Sequence, residues 1–149
     1  MIAVLQRVKE ASITVDGNEI SRIGNGLLIL LGVMDFDTEE DCKYLVGKTA
    51  NFRIFNDDNN KMNLSIKDVE GEALVVSQFT LCADWLKGRR PSFVHAANPP
   101  IGEQLYEKFV DLLKAENIIA KTGEFGAMMN VSLVNEGPVT FVLDSTQKR

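Results

Sequence analysis

The run GLLILLGVM, at residues 26–34, restricts the possible folds of this chain more than any other segment. It has nine residues and ends at Asp35, whereas a membrane-spanning helix needs roughly 20 apolar residues. The GNG at 24–26 is a turn signal, which predicts that an apolar strand follows it. No membrane span is expected.

Other short segments of the chain also have strand patterns. Residues 1–8 and 11–15 are predicted to pair with EISRI through a hairpin turn at DGN, which makes the first third of the chain a predicted meander. NEGP, at 135–138, is predicted to be the turn before the last strand. Further strands are predicted at FRIF (52–55), VSQFTL (76–81), IIAK (118–121), AMMNVSLV (127–134) and VTFVLD (139–144).

Two segments have helical signals. Thr38 precedes an acidic turn and is the predicted N-cap of a helix that reaches about Ala50. Pro99 and Pro100 open a second predicted helix, which ends at about Asn117. Because most strands are joined by short turns, the predicted fold class is α+β, with a mainly antiparallel β-sheet curled into a barrel and two packing helices. A chain of 149 residues is expected to form one domain, residues 1–149.

The net charge of −5 argues against a protein that holds nucleic acid by its overall charge. A local basic segment nevertheless exists, since KGRRPSF places Lys87, Arg89 and Arg90 within four residues. From the residues alone, this segment is either a solvated loop or a contact for phosphate groups.

Metal and nucleotide chemistry find little support in the sequence. Cys42, Cys82 and the single histidine, His95, cannot supply a four-ligand zinc site without carboxylates, and both thiols are predicted to be reduced. No phosphate-binding glycine loop precedes a helix, so no cofactor is expected. The N-terminal segment lacks the pattern of a signal peptide, so a cytoplasmic location is expected.

His95 is also the only base available to a serine or cysteine nucleophile. It lies in PSFVHAAN, a predicted loop without a nucleophile elbow, so the alternative to a triad is a partly exposed loop histidine. The candidate carboxylates all lie at turns, where Asp is favoured for local hydrogen bonds, and nothing selects a catalytic pair among them. These are Asp35, Asp37, Asp57, Asp58 and Asp84.

The stretch VSQFTLCAD places three uncharged polar side chains, Ser77, Gln78 and Thr80, inside an apolar strand pattern. Taken alone, they are either hydrogen-bonding residues on a wet face or the lining of a pocket. Gly137-Pro138 alone indicates a turn, and a cis bond occurs in only about 5 to 6% of such pairs. Neither motif is specific by itself.

Together with two further motifs, these stretches resemble the D-aminoacyl-tRNA deacylase family. The four motifs are SQFTL (77–81), GRRPSF (88–93), FGAMM (125–129) and NEGPVT (135–140), in the same order and at matching separations. AVLQRVKEASITVDG near the start and KMNLS (61–65) match as well, so the resemblance covers nearly the whole chain. Departures from the family pattern occur at Cys82, at Trp85-Leu86, which is more apolar than usual, and at Glu136.

The resemblance implies a β-rich α+β barrel that forms a homodimer and needs no cofactor. It implies hydrolysis of the ester that joins a D-amino acid to the 3′-terminal adenosine of tRNA, with glycyl-tRNA as a further expected substrate. The basic segment then becomes a candidate contact for tRNA. By resemblance, Ser77, Gln78, Phe79 and Thr80 line the reaction pocket, Phe125 and Met129 shape its surroundings, Gly137-Pro138 is a cis dipeptide that enters the partner subunit's pocket, and Arg7 braces that dipeptide.

Two mechanisms remain open for Thr80. In the first, main-chain N–H groups of Phe79 and Thr80 stabilise the developing oxyanion, Thr80 orients the reactants, and the ribose 2′-hydroxyl helps to activate water. In the second, the Thr80 hydroxyl is a covalent nucleophile. Two rival functions are a non-catalytic RNA-binding module and a general esterase that uses His95.

Overall fold

The computed structural model describes residues 1–147. Within them, two α-helices accompany eight strands. The strands are β1 (Ile2–Val15), β2 (Asn18–Ile23), β3 (Gly26–Gly32), β4 (Phe55–Asn56), β5 (Met62–Leu64), β6 (Glu72–Ser77), β7 (Ile119–Thr122) and β8 (Asn130–Asp144), and the helices are α1 (Glu39–Asn51) and α2 (Pro99–Ala115).

The first three strands form one long hairpin. β2 pairs with the C-terminal part of β1, and β3 pairs with its N-terminal part. The register is continuous across the break, because Ala11 pairs with Ile23 and Val8 pairs with Gly26. β2 and β3 are therefore two parts of one returning strand. The predicted meander is wrong, since the GNG segment interrupts this strand without reversing it.

The sheet continues from β3 to β6 and then to β7 through parallel pairs, while β8 pairs antiparallel with β1. Its ends approach each other, since Lys121 Nζ on β7 donates a hydrogen bond to the Arg22 carbonyl oxygen on β2 at 2.7 Å. The sheet is mixed, with antiparallel pairs around β1 and parallel pairs at β6. It is nearly closed into a barrel, and with its two helices it confirms the predicted α+β class.

Alternate side chains of the central strands enter two different cores. On β3, Leu27, Ile29 and Leu31 pack in the core that contains the helices, whereas Leu28 packs with Leu74 of β6 on the other face. Both faces of β3 are thus covered by apolar side chains. This double burial explains the uninterrupted apolar run that is typical of strands in parallel pairs.

Both predicted helices are confirmed. α1 begins after Thr38, whose N–H donates a hydrogen bond to Asp41 Oδ2 at 2.9 Å and so completes the first turn. α2 begins with Pro99 and Pro100, whose missing N–H groups cost nothing at a helix start. Within residues 1–147, no helix is both long and apolar enough to cross a membrane.

The largest difference from the sequence prediction lies in β8, which passes through NEGP without reversing. Val8 of β1 pairs with Asn135, yet Gln6 pairs with Thr140, so four residues of β8 face Arg7 alone. This segment is an enlarged β-bulge, in which extra residues leave the ladder without ending it. The predicted turn at NEGP is therefore wrong.

Two other strands are shorter than predicted. FRIF contributes only Phe55 to β4, and β8 begins at Asn130 because the preceding residues form a turn. The expectation of one domain over residues 1–149 stays a prediction.

The pairing of β3 with β6 depends on a glycine, and this dependence can be tested. At Gly26, where φ is +158°, an added Cβ would lie 1.8 Å from the Glu72 carbonyl oxygen, so Gly26→Ala must separate the two strands. We expect it to lower the free energy of unfolding by about 3 kcal/mol or more, measured by denaturant unfolding. The matched control is Gly47→Ala in α1, where an added Cβ meets nothing within 4 Å. We expect this control to raise the free energy of unfolding by roughly 0.5–1 kcal/mol, and equal effects of the two changes would contradict the close pairing.

Candidate functional site

A cleft of about 830 Å³ opens where β3 and β6 end. The carboxyl ends of parallel strands are a common place for ligand sites, because loops diverge there and leave a crevice. The N-terminal part of α2 and the segment before β8 form the remaining walls. Residues that line the cleft include Leu31, Val33, Val76, Ser77, Gln78, Phe79, Phe93, Ala96, Ala97, Asn98, Gly102, Tyr106, Phe125, Met128 and Met129.

The polar residues of SQFTL occupy the point where β6 stops being a strand. The Gln78 N–H still donates to the Leu31 carbonyl oxygen of β3 at 2.8 Å, and a 3₁₀ turn then covers Phe79–Cys82. The side-chain amide of Gln78 donates a short hydrogen bond to Thr80 Oγ1. The prediction of a continuing strand beyond Ser77 is therefore wrong, because the chain turns at the mouth of the cleft.

This turn leaves two successive main-chain donors without an acceptor. Among residues 1–147, no hydrogen-bond acceptor is found for the N–H groups of Phe79 and Thr80. The rings of Phe79 and Phe93 meet edge to face, with their centroids 4.9 Å apart. The result is a pair of free N–H groups beside an aromatic wall, an arrangement suited to a developing negative charge.

Phe125 and Met129, which the resemblance assigns to the surroundings of the pocket, line the opposite wall of this cleft. The centroid of the Phe125 ring is 5.8 Å from that of Tyr106 on α2. The sulfur of Met129 packs closely on Gly123, since a Cβ added at Gly123 would lie 2.6 Å from Met129 Sδ. This wall is thus held by side-chain packing and not by a ladder of hydrogen bonds.

Tyr106 is a residue of this site that the sequence did not single out. Its hydroxyl donates to the Val75 carbonyl oxygen at 2.7 Å, and the Gly123 N–H donates to the same oxygen at 3.3 Å. Burial raises the pKa of Tyr106 to about 12, so the hydroxyl stays protonated and remains a donor well above neutral pH. One carbonyl of β6 therefore links α2 and the segment that carries Phe125. In the sequence, this tyrosine is indistinguishable from the other members of an apolar helix face.

Gly137 and Pro138 lie in the bulge of β8, joined by a cis peptide bond, and both are exposed. Arg7 is only 6% exposed, and its Nε donates to the Glu136 carbonyl oxygen at 3.1 Å. Its Nη1 donates to the Ile54 carbonyl oxygen at 2.9 Å. Arg7 thus contacts the base of the bulge, and its role as a brace stays a prediction. The dipeptide is not part of the lining of this chain's own cleft within residues 1–147.

Comparisons with known proteins find relatives over nearly the whole chain. The model of the D-Tyr-tRNA(Tyr) deacylase family matches residues 4–144. The chain belongs to this family. A protein named D-aminoacyl-tRNA deacylase from Thermosipho africanus is 57% identical over 97% of this chain and 97% of the relative. One of the same name from Chloroflexus aurantiacus is 58% identical over 100% of this chain and 93% of the relative. The resemblance inferred from the motifs is confirmed.

Two solved structures resemble the fold closely. A structure named c-Myc DNA Unwinding Element Binding Protein has a TM-score of 0.91 and 41% identity, and the match covers 97% of this chain and 98% of that one. A structure described as a probable eukaryotic D-amino acid tRNA deacylase has a TM-score of 0.83. Its identity is 18%, over 95% of this chain and 97% of that one, so it supports the fold alone.

The basic segment of this deacylase-family chain lies beside the cleft. Asp84 and Ser92 exchange main-chain hydrogen bonds of 2.8 and 2.9 Å, which close the loop that contains Lys87, Arg89 and Arg90. All three cations are exposed, and no carboxylate within the described residues forms an ion pair with them. The loop therefore offers uncompensated positive charge next to Phe93, which lines the cleft.

His95 lies outside the lining of this cleft as far as residues 1–147 describe it. Its side chain is 56% exposed, and Nδ1 is 3.8 Å from Asp35 Oδ2. No serine, threonine or cysteine in the described part of the chain hydrogen-bonds to it. The two thiols, Cys42 and Cys82, are free and buried, and burial raises their pKa values to about 12 and about 11. The geometry thus favours the loop-histidine interpretation over a triad.

Proposed function

We propose that the protein hydrolyses the ester that joins a D-amino acid to the 3′-terminal adenosine of tRNA and releases the free D-amino acid. The observation that carries this proposal is family membership over residues 4–144, shared with full-length relatives named D-aminoacyl-tRNA deacylase. The cleft supports it in part, since Ser77, Gln78, Phe79, Phe125 and Met129 line it, whereas Thr80 follows Phe79 and is not among the lining residues in the described part of the chain.

Charge stabilisation is the main catalytic task in the proposed reaction. An aminoacyl ester is already labile, so the enzyme needs to orient a water molecule and stabilise the oxyanion that forms on the carbonyl. The free N–H groups of Phe79 and Thr80 suit that role. Thr80 Oγ1 accepts a hydrogen bond from Gln78, which supports an orienting role for the hydroxyl, and the substrate's ribose 2′-hydroxyl helps to activate the water.

Stereochemical selection is assigned to Gly137-Pro138 of a second copy of the chain. We propose that their main-chain carbonyls accept the α-ammonium group of the substrate and leave no room for an L side chain. Exposure of both residues and the buried contact of Arg7 beneath the bulge support this assignment. Because glycine has no side chain to exclude, glycyl-tRNA is proposed as a substrate too.

A homodimer in the cytoplasm is part of this proposal, because the dipeptide must come from a partner subunit. The exposed surface of β8 supports the dimer, since it presents three apolar side chains around the bulge: Leu133, Val134 and Val142. Apolar groups of this kind are favourable to bury between copies. For the basic segment, we propose contacts with tRNA phosphates, which fit the uncompensated charge of Lys87, Arg89 and Arg90.

The decisive test compares D- and L-tyrosyl esters on the same tRNA, with release of free tyrosine as the measurement. We expect release from the D ester and none above the spontaneous rate from the L ester. We also expect several chemically different D-amino acids and glycine to be released from their tRNA esters.

Binding of tRNA without any release would instead favour the RNA-binding module, for which the nucleic-acid-binding name of one structural relative gives some support. Loss of activity on His95→Ala would favour the general esterase.

Replacement of Thr80 distinguishes the two mechanisms. If Thr80 only orients reactants, Thr80→Ala is expected to lower kcat by less than about 100-fold, because the main-chain N–H groups remain. Loss of a covalent nucleophile would cost roughly 10⁴-fold or more. Thr80→Ser serves as the control that keeps the hydroxyl. Detection of an acyl-threonine intermediate by mass spectrometry would overturn the orienting role.

Charge reversal tests the basic segment. The double variant Arg89→Glu, Arg90→Glu is expected to raise KM for aminoacyl-tRNA more than it lowers kcat, because phosphate contacts position the substrate and take no part in the chemistry. The slope of log affinity against log salt concentration should decrease in magnitude by about one for each lost phosphate contact. Lys114→Glu, an exposed change on α2, is the matched control. An unchanged salt dependence would contradict the proposed contact.

A further inference from the structure

Trp85 and Leu86 are conspicuous at the start of the basic loop, because they are 74% and 78% exposed. Apolar side chains of this size are normally covered when they lie side by side. Within residues 1–147, Trp85 makes no ring contact and no cation–π contact. The indole is therefore a free aromatic surface on a cationic loop.

The position of Trp85 relative to the cleft is fixed by the base of the loop. Trp85 follows Asp84, Asp84 exchanges two main-chain hydrogen bonds with Ser92, and Ser92 precedes Phe93. A hydrogen-bonded antiparallel pair has its Cα atoms about 5.5 Å apart, and each step along the chain adds about 3.8 Å. The Cα atoms of Trp85 and Phe93 are thus at most about 13 Å apart. In addition, the Leu86 N–H donates to Asp84 Oδ1 at 3.0 Å, which restrains the chain beyond Trp85.

We infer that Trp85 is a stacking site for an unpaired base near the 3′ end of the tRNA, upstream of the terminal adenosine. The inference rests on the proposed function, which brings that adenosine to the cleft. A flat aromatic side chain beside cations is the usual chemistry for binding a single strand, because bases stack while phosphates meet positive charge. The distance of at most about 13 Å corresponds to no more than about four stacked nucleotides of about 3.4 Å each. Trp85 is therefore within reach of the unpaired 3′ strand.

A single-stranded polyanion fits this surface better than a second copy of the chain. Lys87, Arg89 and Arg90 lie within five residues after Trp85 and have no carboxylate partner in the described part of the protein. Burial of the loop against its own counterpart in a symmetric pair of subunits would bring like charges together and remove water from them. Phosphate groups would compensate them.

The test compares two substrates that share the reacting ester. One is D-tyrosyl-tRNA, and the other is D-tyrosyl-adenosine, which lacks all upstream nucleotides. Trp85→Ala is expected to raise KM for the tRNA between about fivefold and about 100-fold, the range for loss of one stacked base, and to leave kcat/KM for D-tyrosyl-adenosine unchanged. Trp85→Phe should restore most of the affinity. Leu86→Ala, at an equally exposed apolar neighbour, should change KM and kcat/KM for either substrate by no more than about twofold.

The outcomes separate this inference from the proposed function. If the unaltered protein hydrolyses neither substrate, the proposed function fails. If it hydrolyses both and Trp85→Ala has the same KM for the tRNA, the stacking site is wrong. An equal decrease in kcat/KM for both substrates on Trp85→Ala would also overturn it, because the effect would then not come from an upstream base. The same holds if Leu86→Ala raises KM for the tRNA as much as Trp85→Ala does.

A direct measurement is available, since Trp85 is the single tryptophan of the chain. Uncharged tRNA is expected to quench its fluorescence, and the same tRNA shortened by its unpaired 3′ nucleotides is expected to leave it unchanged. Equal quenching by both RNAs would contradict stacking on the 3′ strand. A fluorescence change that follows protein concentration without RNA would instead identify a second copy of the chain as the occupant.

Discussion

The parallel pairing of β3 with β6 is the interaction on which the rest of the site depends. It begins at Gly26, where only a hydrogen atom fits against Glu72, and it ends where Leu31 faces Ser77. Because the two strands end together, the chain leaves the sheet at Gln78 and turns immediately. The free N–H groups and the cleft follow from this shared end. A shift of the register by one residue would place Ser77 on the opposite face and remove the site.

β1 connects this site to the bulge of β8, the second feature for which a function is proposed. Its N-terminal part supports β3 on one edge, and along its other edge it pairs with β8. The buried guanidinium of Arg7 donates one hydrogen bond, from Nε, to the Glu136 carbonyl oxygen at the base of the bulge, and its Nη1 donates to Ile54 and Asn56. Arg7 thus ties the first residue of the bulge to the segment that contains β4. The same strand therefore holds both the proposed reaction cleft and the dipeptide proposed to enter a partner. The relative placement of the cleft and the dipeptide within one chain therefore depends on the rigidity of β1.

The sequence predicted the local elements better than their connections. Proline positions and an acidic first turn located both helices, because those signals act within one helical turn. Whether GNG and NEGP reverse the chain depends on which strands lie beside them, and the long register of β1 overrides the local turn signal at both. The roles of SQFTL and NEGPVT came from family resemblance, since polar residues in a strand have several physical explanations. Tyr106 was not predicted because its hydrogen-bond partner is a main-chain oxygen, and the sequence does not show which main-chain oxygens lie near a side chain.

The proposed chemistry relies mainly on main-chain groups. This explains why the titratable side chains provide no clear catalytic acid, base or nucleophile. Burial drives the pKa values of the two thiols upward, away from nucleophilic forms, and His95 is not among the residues that line the cleft within residues 1–147. N–H groups on one side and carbonyl oxygens on the other can stabilise an oxyanion and receive an ammonium group without any change in protonation. Such groups also contact only atoms that all amino acids share. The proposed site would therefore select handedness and accept D-amino acids with different side chains.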